Sequence, residues 1–218
     1  MKSSLKQIYP KVYLATYESL YDLGMTMVRI QEYYESPKFK GKFFDLETYM
    51  DWWAKTEGKN VFDYTGIWSG YNVPGKVLYE WYNCFLGSHR KKEKALFDKL
   101  FKQLEKESFD VKDIYLICIC KNAQDSEGTI RHELAHAFYT LYPEYQESCQ
   151  KLLSAMSSST YERYQRILLK GGYDKSVIDD EMQAYCSSLE APSSSSRFSV
   201  KPRKRFTQNF DTFKNSLS

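Results

Sequence analysis

His132-Glu133-Leu134-Ala135-His136 is the stretch of this sequence whose residue types and spacing could do chemistry. Two imidazoles four positions apart on a helix lie about one turn from each other on one face, so both rings can reach one metal ion. The glutamate after the first histidine then stands beside that ion, where it can hold a water and move its proton. The motif uses two of the three histidines in the chain. On a wheel of about 100° per residue, Ile130, Leu134, Ala137, Phe138 and Leu141 gather on one side, with His132, His136 and Tyr139 nearly opposite. Histidines that merely filled a core would sit on the apolar side, so the metal reading is the stronger one.

A catalytic zinc takes three protein ligands and keeps a fourth position open. The remaining histidine, His89, lies in the basic stretch Gly87-Ser88-His89-Arg90-Lys91-Lys92 and reads as solvated surface. Downstream, the candidates are acids, in Asp179-Asp180-Glu181-Met182-Gln183-Ala184-Tyr185. On a helix, Val177, Glu181, Tyr185 and Leu189 align beside Ile178 and Met182, which turns Glu181 inward. An ionised carboxylate there is costly unless it is paired or bound to metal. Asp179 and Asp180 turn toward the polar side and suit the positive end of the helix. Glu181 is the favoured third ligand, and either aspartate stays open as an alternative.

The elements that must position these residues are mostly helical. A long helix is expected from Lys11 to about Glu35, because Leu20, Leu23, Met27, Ile30 and Tyr34 recur at helical spacing; Ser36-Pro37 ends it. Asp45 reads as the cap of a second helix reaching about Lys55. The aromatic, turn-rich stretch from Gly58 to Gly75 reads as strands joined by turns. Helices follow over about Lys76–Phe85 and Lys91–Glu107. Asp113–Cys120 is short and apolar, a strand whose continuous run suits a buried place better than an edge. Lys121–Gly128 is a loop, with Asp125 or Ser126 available to cap the motif helix.

HExxH followed 45 residues later by a helical glutamate (His136 to Glu181) resembles the gluzincin group of zincin metallopeptidases. The resemblance covers little more than residues 113–189. It departs from the group at the second helix, where Asp180-Glu181-Met182-Gln183-Ala184-Tyr185 stands in place of NExxSD. Tyr185 occupies the place where an acid often orients a ligand histidine. The resemblance implies an α+β fold: a mostly helical zincin-like domain with a small sheet next to the HExxH helix. It also implies Zn²⁺ held by His132, His136 and Glu181, a peptide or protein substrate, and Glu133 as general base. An oxyanion needs a donor besides the metal. Tyr139, Tyr142, Tyr173 and Tyr185 are the candidates, and Tyr185 joins Glu133 as an expected catalytic residue.

Composition bounds the alternatives. The 218 residues carry 31 basic and 28 acidic side chains, a net charge of +3 too balanced to imply a nucleic-acid partner. The longest unbroken apolar run, Ile114–Cys120, is far too short for a membrane span. Met1–Pro10 lacks the apolar core of a signal peptide, and five cysteines without a CxxC pair suit a reducing setting, so a cytoplasmic location is expected. Residues 1–190 read as one metallohydrolase domain. A linker of serines and basic residues (191–203) opens with Ala191-Pro192 and Ser193–Ser196, and a basic amphipathic tail (204–218) follows. Phe206, Phe210, Phe213 and Leu217 fall on one helical face of that tail and favour docking on the body over a membrane or nucleic acid. A diiron site would need two ExxH pairs, and Glu133-x-x-His136 is the only one. A zinc-bearing interaction protein without catalysis, or a hydrolase of non-peptide amides or esters, would use the same ligands.

Overall fold

The structure, a computed structural model, describes residues 3–58, 60–124, 126–188 and 200–217. Asp125, Leu189 and most of the 191–203 linker fall outside the described residues. The chain divides into two compact units, Met1–Ser126 and Glu127–Ser218. Among the described residues are nine α-helices and one mixed sheet of four strands, an α+β fold.

The first unit is built on the sheet. Strands β1 (Ser3–Tyr9) and β2 (Val12–Tyr17) form an antiparallel hairpin. β3 (Gly70–Pro74) and β4 (Tyr115–Cys120) complete the order β1-β2-β4-β3. β2 and β4 run parallel, Val12 opposite Tyr115 through Tyr17 opposite Cys120, while β3 is antiparallel to β4. β4 is therefore interior and all six of its residues are buried, as its unbroken apolar run anticipates.

The helix expected from Lys11 is corrected in its first third. Residues 12–17 are strand, and α1 runs Leu20–Glu35 behind Ser19, whose hydroxyl accepts from the Asp22 N–H. Val12-Tyr13-Leu14-Ala15-Thr16-Tyr17 is rich in β-branched and aromatic residues. Lying between two strands with nearly every residue buried, it shows no alternation to betray it. β1 went unforeseen for its own reason: its exposed residues alternate only over the first few positions.

Asp45 caps α2 (Leu46–Thr56) through the Thr48 N–H, as expected. The stretch from Gly58 to Gly75 holds a 3-10 turn at Tyr64–Gly66 and the single strand β3. α3 (Gly75–Cys84) and α4 (Lys91–Glu107) agree with the sequence reading. Trp81, Phe85, Phe97, Leu100, Tyr49 and Tyr64 sit in the core of this unit. Through it runs one ion pair: Arg29 meets Glu93 at 2.5 Å and 2.8 Å, both side chains almost fully buried. His89 is half-buried rather than a freely solvated surface residue. It stacks on Tyr82 with ring centroids 4.4 Å apart and lies 2.9 Å from the Tyr82 carbonyl.

The second unit is helical: α5 (Ser126–Leu141), α6 (Pro143–Ser154), α7 (Ser158–Lys170), α8 (Ile178–Ser187) and α9 (Val200–Ser216). The tail helix α9 docks on this unit. Phe206 and Phe210 are buried, and Phe138 of α5 packs on Phe210 and Phe213 at 5.4 and 5.3 Å. Arg131 lies over the Phe210 ring and pairs with Asp211 at 2.7 Å. No helix of the described residues is long and apolar enough to cross a membrane. The five cysteines are free thiols, and four of them are buried.

Candidate metal centre

The centre lies within the second unit, on α5 and α8. One turn of α5 separates His132 from His136 and brings their Nε2 atoms to 3.2 Å of each other. α8 is entered through a 3-10 turn that Asp174 caps at the Ser176 N–H. Its first turn carries Asp179, Asp180 and Glu181, where acids are favoured by the helix dipole. Glu181 reaches back to the histidines, with Oε1 3.7 Å from His136 Nε2 and Oε2 4.0 Å from His132 Nε2. The three residues could hold a metal ion. Two donors bound tetrahedrally at zinc distances stand about 3.3–3.4 Å apart. With one donor atom taken from each residue, all three lie within 4.8 Å of one another, so binding needs an inward movement of the Glu181 side chain.

Both sides of α5 are used. Leu134, Ala137 and Phe138 are buried in apolar packing, while His136 and Glu133 are buried on the acid-rich side. Burial, together with the neighbouring His136, pushes His132 well below the ordinary histidine range, so the ring is neutral and one nitrogen keeps a lone pair. Burial also opposes charge on His136, but Asp180, Glu181 and Glu133 outweigh it and hold this ring up at about 10. One site thus sets a neutral imidazole beside an imidazole surrounded by carboxylates.

Asp179 and Asp180 part company. Asp179 stays exposed and accepts from the Tyr161 hydroxyl at 2.6 Å. Asp180 does not turn to the polar side. Its Oδ1 lies 3.0 Å from His136 Nδ1 and accepts from Gln183 Nε2 at 2.9 Å. Sequence reasoning missed Gln183; the available signal was an amide three positions after an acid on a helix whose neighbours are apolar.

The four candidate tyrosines separate as well. Tyr142 packs against Phe138 and Phe213, with the apolar residues of α5. Tyr139 stands near Gln150 and the two aspartates. Tyr185 lies against the His132 ring, centroids 4.6 Å apart, and its hydroxyl is 2.7 Å from that of Tyr173. Tyr173 follows Gly172, whose φ of 95° lets the chain turn sharply out of α7 where a side chain would strain it. Burial, then Glu181, Tyr185 and Glu133, raise the Tyr173 hydroxyl and keep it protonated, a donor close to both acids.

The chain matches no family model, no curated protein and no solved structure.

Proposed function

We propose that the chain is a zinc-dependent hydrolase of the zincin type, a metallopeptidase. The observation that carries this reading is the convergence of His132 Nε2, His136 Nε2 and the Glu181 carboxylate on one point, with Glu133 on the same helix. A donor set of two imidazoles and one carboxylate suits Zn²⁺, which when bound supplies a Lewis acid that acidifies a water and polarises a carbonyl. Glu133, buried beside His136, takes the proton that the water gives up and returns it to the leaving amine. Tyr185 and Tyr173, whose hydroxyls touch, present a protonated phenol toward the same acids and offer a hydrogen bond to the oxygen that gains charge.

The test is metal content measured beside cleavage of a peptide library. Wild type is expected to hold one zinc per chain, and His136→Ala and Glu181→Ala to lose it. Glu133→Gln is expected to keep zinc while hydrolysis falls by about 10²–10⁴. Zinc bound by a wild-type protein that cleaves no peptide would overturn the peptidase and leave a metal-binding module or a hydrolase of non-peptide amides or esters. Absence of zinc in wild type would overturn the metal centre itself.

A further inference from the structure

We propose that Asp180 is a positioning residue for His136, and that Gln183 and Tyr145 lock Asp180 in place. The inference rests on the zinc reading of the same site. A histidine that ligates zinc is neutral, with one N–H and one lone pair. With Asp180 Oδ1 3.0 Å from Nδ1, the proton belongs on Nδ1 and the lone pair on Nε2, the atom that faces His132 and Glu181. Asp180 touches the outer nitrogen of the ring, so it stands behind the ligand rather than among the ligands.

What holds Asp180 is a fully buried amide. Gln183 Nε2 donates to Asp180 Oδ1 at 2.9 Å and to the Ala135 carbonyl at 3.1 Å, and its Oε1 accepts from the Tyr145 hydroxyl at 3.1 Å. Both amide protons and the amide oxygen are used, and both Gln183 and Tyr145 have no exposed surface. Two acceptors on one side and a hydroxyl on the other fix which end of the amide is nitrogen. Ala135 precedes His136, so the same amide ties α8 to α5 at the motif itself. A buried amide with its hydrogen-bonding groups satisfied holds its partners in one arrangement, here the part-exposed Asp180. The acid that orients a ligand histidine therefore comes from the position just before the third ligand, and Tyr185, four after it, is left to face His132. Ligand and orienting acid ride on one turn of α8 and approach the two nitrogens of His136 from opposite ends of the ring.

The experiment is zinc affinity by chelator competition for the full chain, with the visible spectrum of the Co²⁺-substituted protein as a second readout. Asp180→Ala is expected to bind one zinc at saturation but about 10–100-fold more weakly, with a changed Co²⁺ spectrum. Asp180→Asn keeps an acceptor oxygen and is expected to recover part of that loss. Gln183→Leu, similar in volume, is expected to weaken zinc in the same direction while Asp180 remains. A role in folding alone would lower the melting temperature of these variants and leave both the affinity and the spectrum of the folded protein as in wild type, which would overturn the proposal. So would loss of zinc in Asp180→Ala with retention in Glu181→Ala, which would make Asp180 the ligand. Wild-type protein that binds no zinc would show that the underlying reading had failed instead.

Discussion

Glu181 and Asp180 are neighbours in sequence and take different work, which shows what single residues disclose. The spacing of His132, Glu133 and His136 was legible because helical geometry alone fixes how two residues four apart face a common point. Glu181 was legible because a carboxylate among Val177, Ile178, Met182 and Tyr185 needs a partner. Asp180 was not. A wheel sends it toward polar neighbours, and only the placement of α8 against α5 turns it onto His136. Arg29 and Glu93 were equally silent, for their partnership spans 64 positions and no periodicity announces it. Arg29→Met would leave Glu93 charged and buried without its partner, at an expected cost of about 3–5 kcal/mol. Replacing Glu93 by leucine in the same protein is expected to recover most of that loss. Urea denaturation of both variants checks the pair of values. Equal stability of the two would show that the charges are not coupled.

At the scale of elements, helices with one apolar face were read well, as was the fully buried β4 with its unbroken apolar run, while β2 was read badly. α4, charged outside and apolar inside, has the boundaries expected from its pattern. β2 shows no alternation because β1 and β4 flank it and nearly all of it is buried, so it merged with the helix after it. α5 is also packed on both sides, with the aromatic residues of α9 on one and the ligand cluster on the other, yet its apolar stripe made it legible as a helix. α9 thus supports the motif helix from behind, through Phe210 on Phe138 and Arg131 on Asp211. Phe210→Ala is expected to cost about 3–5 kcal/mol in the unfolding of this unit, followed by denaturant titration. Asp211→Asn removes only a half-exposed ion pair and is expected to cost under about 1 kcal/mol. A Phe210→Ala variant as stable as wild type would mean that the docked helix contributes nothing to α5.

For the molecule as a whole, the charge balance argued against a nucleic-acid partner, and the α+β class came from the resemblance around the motif. Residues 1–190 were read as one domain. The division between the two compact units falls between Ser126 and Glu127, inside the polar stretch Lys121-Asn122-Ala123-Gln124-Asp125-Ser126-Glu127 that the sequence marks as a loop. All three candidate ligands belong to the second unit. Zinc at about a thousand times its dissociation constant stabilises what binds it by about 4 kcal/mol. Slower amide hydrogen exchange in α5 and α8 is therefore expected when zinc is added, with reversal by a chelator. Exchange in those helices that ignores zinc would contradict the centre.

The parallel pairing of β2 with β4 reaches beyond the folded state. Val12 waits for Tyr115, which leaves the ribosome roughly a hundred positions later, on the order of 5–20 seconds at ordinary synthesis rates. Through that interval the nascent hairpin offers an uncharged strand, Val12-Tyr13-Leu14-Ala15-Thr16-Tyr17, with one edge unfilled. Such an edge invites pairing with another chain. For those seconds the open edge of β2 is where the newborn chain is expected to aggregate first.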